Sequence, residues 1–207
     1  IFSPVMEGGW DTVLQEARDA GIPVILIDRM VDVQDPSLYS TWIGSDFKKE
    51  GQEAGKILET CLEEQGRQEE EINIVVLKGT EDSSPTIGRT EGFEEVAGLH
   101  QNWNILEQAD AEFTTAKARE EMSRMLTEYE DIDVLISQND DMAFGALDAM
   151  RAAGRSPEDG DDIIILSFDG TKSALELVEE EIIYADLECN PEQGEYLEDV
   201  IQKLERG

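Results

Sequence analysis

Six short apolar runs recur along the chain: "PVILID" (23–28), "INIVVL" (72–77), "WNILE" (103–107), "IDVLIS" (132–137), "DIIILS" (162–167) and "IIYADLE" (182–188). They are rich in β-branched residues and do not alternate apolar with polar positions, the pattern of strands buried on both faces. Between them, apolar residues recur at helical spacing near 9–20, 48–65, 86–99, 115–129, 140–153, 171–180 and 191–205. Strand runs alternating with helical segments predict an α/β fold, a parallel sheet covered by helices on both sides.

In such sheets ligands bind beyond the carboxyl ends of the strands. The residues just after the runs are therefore the place to look for chemistry. They are Asp28-Arg29, "KGTEDSS", Gln138-Asn139-Asp140 and Phe168-Asp169-Gly170. An Asp or Asn at a strand-to-helix turn is commonly an N-cap, so each taken alone reads as structural. Four polar strand ends in one sheet system shift the balance toward a site, and an Arg there has no capping role.

With 207 residues, 40% of them apolar, the chain can bury a real core. Its 49 acidic and 16 basic residues leave a formal charge of −33. Such a surface repels nucleic acid and anionic lipid. The Debye length falls from about 10 Å at 0.1 M salt to about 3 Å at 1 M, so the excess charge reads as adaptation to a saline medium. The two cysteines, Cys61 and Cys189, have no CxxC or paired His for a metal and read as buried free thiols. No apolar run approaches the ~20 residues of a membrane span. The chain opens at "IFSPVMEGGW", with no signal-peptide pattern.

Enzymatic motifs are missing. There is no GxxxxGK[ST] phosphate loop and no GxGxxG after a strand. His100 has no partner at useful spacing for a nucleophilic triad and reads as a surface residue. "SFDGT" (167–171) is similar to the DxDGT motif of haloacid-dehalogenase phosphatases, but Ser167 stands where that family has its nucleophilic Asp. So acidic a composition leaves paired carboxylates for glycoside hydrolysis open, but no local pattern nominates a pair; enzyme is the less supported class, with no catalytic residue, metal or cofactor nominated.

"PVILIDR", "RTEGF", "SQNDDMAFGAL" and "SFDGT", in this order and strand context, resemble the periplasmic sugar-binding proteins of ABC importers, the ribose, galactose and galactofuranose group. "GGW…LQEARDAGIPVILIDR" and "SLYSTWIGSD" look most like the galactofuranose branch. The resemblance implies a type I periplasmic binding protein: two Rossmann-like lobes joined by three crossovers, closing on sugar in the cleft. Crossovers then fall near Ser45-Asp46 and near Cys189-Asn190, with Ser45, Asp46 and Cys189 as hinge. Residues 46–189 form one complete lobe, and 1–45 with 190–207 part of the other, so that the chain looks truncated at both ends.

Carried over by motif, Asp28, Arg29, Arg89, Asn139 and Asp169 grip sugar hydroxyls, Phe113 covers a sugar face, and Asn190 contributes at the second crossover. These types suit a sugar. Its hydroxyls donate to carboxylates and accept from Arg and Asn, and the apolar C–H face of its ring suits an aromatic. Asn139 is thereby assigned to the ligand, and Asp140 or Asp141 to the helix N-terminus. The implied partners are a monosaccharide and an ABC permease, and the implied setting is periplasmic or extracellular, as a monomer. Two rivals share the architecture: the effector-binding core of a LacI-type repressor, which a charge of −33 disfavours, and a sugar receptor for a chemotaxis or kinase system.

Overall fold

Two parallel sheets organise the computed structural model, which describes residues 1–160 and 163–206. The smaller pairs β1 (Ile25–Ile27) with β2 (Thr41–Ile43), Leu26 opposite Trp42. It packs on α1 (Asp11–Asp19) through Leu14, Leu26, Val31 and Leu38. The larger sheet contains, among the described residues, β3 (Ile72–Lys78), β4 (Trp103–Asp110), β5 (Val134–Ser137), β6 (Ile164–Asp169) and β7 (Ala185–Glu188), in the order β4-β3-β5-β6-β7. Its helices are α2 (Phe47–Gln65), α3 (Ser84–Ala97), α4 (Thr115–Glu128), α5 (Asp140–Ala153) and α6 (Lys172–Glu179). Helix α7 (Gly194–Arg206) follows the chain's return from β7 and buries none of its residues.

The central strands explain why the runs do not alternate. Val75 and Leu77 of β3 join Met122, Met142, Leu147 and Ile165 in the core under α4 and α5. Ile72, Ile74 and Val76 join Leu58, Phe93, Ile136 and Phe168 in the core under α2 and α3. Successive side chains point to opposite faces, and both faces are covered, so most positions are apolar on either side. Each such Leu, Ile or Phe contributes about 1.5–3 kcal/mol by leaving water.

Helices start where a side chain satisfies the first free backbone N–H groups. Asp46 accepts from Lys49 N at 3.1 Å, Asn139 from Met142 N at 2.9 Å, and Thr171 from Ala174 N at 3.4 Å. Helices α2 and α3 meet backbone to backbone. A Cβ on Gly51 would lie 2.2 Å from the Arg89 carbonyl oxygen, and one on Gly92 2.0 Å from that of Lys48.

Every predicted element is present, with ends displaced by at most three residues; Asp162, the first residue of "DIIILS", lies outside the described residues. Strand β2 was not foreseen, because its three residues are all half-buried and carry no apolar run. Cys61 and Cys189 are both free; Cys61 is buried, but Cys189 is only half-buried. His100 is not a bare surface residue either. It stacks on Trp103 with centroids 4.2 Å apart and meets Glu59 at 2.7 Å.

The chain passes between the sheets twice, before α2 and after β7, and the passages touch: Cys189 Sγ lies 3.5 Å from Ser45 Oγ. Two further bonds cross between the sheets away from those passages. Glu7 N donates to Asp82 O at 2.8 Å and Met30 N to Ser84 Oγ at 2.9 Å.

Candidate functional site

The order β4-β3-β5-β6-β7 reverses direction between β3 and β5. In a doubly wound sheet that reversal opens a crevice beyond the strand ends. A cavity of about 210 Å³ lies there, lined by Asp28, Arg29, Phe47, Pro85, Arg89, Phe113, Asn139, Asp169 and Cys189. A larger hollow of about 970 Å³ sits by the opposite, amino ends of β5–β7, near Asp133, Ile163 and Tyr184, where none of the predicted residues reach.

Arg89 organises the cavity. It is 3% exposed on α3, a helix that also buries Ser84 and Thr86. Its Nε donates to Glu50 at 2.9 Å, one terminal nitrogen donates to the Gln138 carbonyl, and the other lies 3.5 Å from Asp169 Oδ1. Its guanidinium also sits 4.8 Å from the Phe168 ring centroid and 5.5 Å from that of Phe47, within cation–π range. A charge so held is fixed in place before any ligand arrives.

Asp169 faces Arg89 from the end of β6 with φ 119°, a conformation that costs a non-glycine residue about 1–3 kcal/mol. Burial pushes its carboxyl up to about 6, against the pull of Arg89 and with the repulsion of Asp140 and Glu50 added. Phe113 and its neighbour Glu112 are left-handed too, at φ 57° and 56°. Glu112 N is held by Asp110 Oδ1 at 2.9 Å, and the Phe113 ring fills the space where a Cβ on Gly79 would lie, 1.9 Å from the ring edge. Arg29 stands 5.4 Å from that ring and donates to the Val5 carbonyl at 3.0 Å. Asp28, at φ 60°, holds Trp42 Nε1 through its own carbonyl at 3.0 Å.

Asp140 and Asp141 both lie in the first turn of α5, as expected at "QNDD", but the capping side chain is neither of them. Asn139 itself caps α5 through Oδ1, leaving its amide nitrogen without a hydrogen bond among the described residues and on the cavity wall. Asp140 is 1% exposed and turns away, accepting from Ser167 Oγ at 2.6 Å and Thr171 N at 2.9 Å. Asp141 is exposed in the first turn of α5. Asn190 does not reach the cavity. Its Oδ1 accepts from Glu192 N at 2.8 Å, closing a local turn, and Cys189 takes the wall position instead. Phe47 and Pro85 were missed; the available signal was their place at helix starts, directly after Asp46 and the "DSS" segment.

The described side chains include no group of three or more His, Cys, Asp or Glu placed to hold a metal ion. What the cavity offers is donors from Arg29, Arg89 and Asn139, acceptors from Asp28 and Asp169, and two rings. This is hydrogen-bonding capacity around an apolar face, suited to a small neutral polyol.

Residues 1–205 match the model of the family described as Periplasmic binding protein domain. The chain belongs to this family. It is a family of binding proteins rather than enzymes. Among its relatives is the galactofuranose-binding protein YtfQ of Escherichia coli (strain K12), 34% identical over 100% of this chain and 64% of the relative. A solved structure from Mycobacterium smegmatis in complex with β-D-fucofuranose is 40% identical, with a TM-score of 0.91 over 98% of this chain and 65% of that one. The periplasmic component of the arabinose ABC transporter of Shewanella sp. ANA-3, bound to α- and β-L-arabinofuranose, is 35% identical, with a TM-score of 0.90 over 99% and 66%. This periplasmic binding protein domain thus spans a little under two thirds of the length of these relatives. The likeness confirms the α/β, type I periplasmic binding protein fold.

Proposed function

We propose that this chain is part of an exported solute-binding receptor that holds a monosaccharide in its furanose ring form and delivers it to an ABC permease. Residues 46–189 form one Rossmann-like lobe; 1–45 and 190–207 contribute to the other, with Ser45, Asp46 and Cys189 at the hinge. Asp28 and Arg29 grip the sugar from one side and Arg89, Asn139 and Asp169 from the other, while Phe113 covers its C–H face.

One observation carries the reading. Residues from seven separate segments, each with its own local structural ties, line one cavity at the point where the strand order reverses. At about 210 Å³ it is smaller than the roughly 300–1,000 Å³ of drug-sized pockets, which suits a single sugar ring. The furanose preference is supported by the furanoses bound in the two solved relatives.

Thermal-shift and calorimetric titration of the intact protein against monosaccharides, in molar salt, tests it. At least one furanose-forming sugar is expected to raise Tm, and Phe113→Ala to weaken it by about tenfold, the order of one lost aromatic contact. Indifference to every monosaccharide would overturn the reading.

A further inference from the structure

Beneath the cavity, two carboxyl groups hold the turn that aims Asp169. Gly170 N donates to Asp186 Oδ1 at 3.2 Å, Thr171 N to Asp140 Oδ2 at 2.9 Å, and Ser167 Oγ to Asp140 Oδ1 at 2.6 Å. The turn needs holding, since Asp169 sits at φ 119° and Gly170 at φ 74°. Both oxygens of Asp140 are occupied by donors. The second oxygen of Asp186, Oδ2, is buried and no donor reaches it. A buried carboxylate oxygen left bare is costly, and the Asp140 carboxylate, which holds the next N–H of the same turn and repels Asp186, makes the cost larger. A single proton between the two groups removes both problems, because one carboxyl becomes a donor to the other.

From this geometry we propose that Asp186 and Asp140 share one proton and act as a positioning pair, locking the Asp169-Gly170-Thr171 turn in the shape that presents Asp169 to the ligand. The proposal rests on the sugar-binding reading of the cavity but concerns residues that do not line it. Burial first, then Asp140, push the Asp186 carboxyl up to about 7, against the pull of the Gly170 N–H; Asp169 adds to the rise. Other charges face the pair from all sides. Asp46, Lys49, Glu50 and Glu53 at the start of α2 line a hollow with Asp186, and Glu188 shares its strand. Arg89 acts from α3 through Asp169. Helix α6 carries Lys172, Glu176 and Glu179, with Lys172 turned outward to Glu176 at 3.6 Å. Acid outnumbers base in this ring, which favours retaining the proton.

Once the proton leaves, two carboxylates repel under the turn and Asp169 loses its fixed aim. Ligand affinity therefore falls as pH rises through the Asp186 titration. Asp186→Asn tests this, since its amide oxygen still accepts from Gly170 and its NH₂ replaces the proton as permanent donor to Asp140. Between pH 6 and pH 8.5 the dissociation constant of the intact protein for its sugar is expected to rise about tenfold, as one linked proton allows. Asp186→Asn should match the parent at pH 6 and lose most of the slope, the remainder being the titration of Asp169 itself, whereas Asp186→Ala should bind about tenfold weaker at both pH values. A flat parent profile, an unchanged slope in Asp186→Asn, or parent affinity in Asp186→Ala at pH 6 would each overturn the proposal. The infrared carbonyl band of a protonated carboxyl gives a readout independent of ligand. Because Asp169, itself raised to about 6, gives the same band, the reading is made in Asp169→Asn: there the band should vanish between pH 6 and pH 8.5 and be missing at both once Asp186→Asn is added, and no such band with Asp186 intact defeats the pair. If no sugar binds at all, the functional reading fails while this band still decides the shared proton.

Discussion

Asn139 serves two purposes with one side chain: Oδ1 closes the start of α5 and the amide nitrogen faces the cavity. Asn139→Ala should therefore lower stability by about 1 kcal/mol, a typical cap loss, and also abolish stabilisation by ligand. Asn139→Asp should restore the first and not the second, as urea melts with and without sugar would read. Arg89 is different, since its removal strands the mostly buried Glu50, which meets it at 2.9 Å. Arg89→Met is expected to cost about 3–5 kcal/mol, with part regained by adding Glu50→Gln. Asp169 makes stability depend on pH. Because its folded carboxyl is raised to about 6, the folded state holds a proton that the unfolded chain releases near pH 4. Its contribution is complete below that value and lost as pH rises through 6. Ligand-free denaturation midpoints should therefore fall between pH 4.5 and pH 7, and fall less in Asp169→Asn. Residue identities at the cavity were legible because Arg, Asn and Asp at strand ends point to few uses. Their partition was not. Asn139, Asp140 and Asp141 are all capable caps, and only Ser167 and Thr171, distant in sequence, draw Asp140 elsewhere.

The pairing of α2 with α3 depends on contacts that exclude a single methyl group. Gly51→Ala and Gly92→Ala each drive a Cβ into a backbone carbonyl, where no side chain can yield. Losses of about 1–3 kcal/mol or more are expected in chemical denaturation. Gly8→Ala, with nothing within 4 Å, should stay within about 0.5 kcal/mol. Strands β3, β5 and β6 announced themselves because burial on both faces demands unbroken apolar runs. Strand β2 carried no such demand, as a half-buried segment with one partner. At β7 the run began early because Ile182 and Ile183 are buried in the turn before the strand rather than in it. Hydrophobicity reports burial; the hydrogen-bond register that defines a strand end leaves a fainter trace.

Across the whole molecule acid exceeds base by 33 charges, and much of the base is already engaged. Arg124 alone meets Glu107, Glu121 and Glu128, and Lys48 meets Glu91 and Glu95. Exposed pairs of this kind contribute little each, so screening them removes less than screening the surplus repulsion restores. Tm should climb steadily from low to molar NaCl, each kcal/mol relieved appearing as about 2–4 °C in a chain of this size; a falling Tm would refute saline adaptation. The two bonds that cross between the sheets, Glu7 N to Asp82 O and Met30 N to Ser84 Oγ, carry a kinetic corollary. On the proposed reading, a sugar held between the two sides escapes only when they part, so its residence time follows the frequency of that parting. Chemically different sugars would then leave at similar rates, and a mutation at Ser84, which does not line the cavity, would hasten the departure of them all.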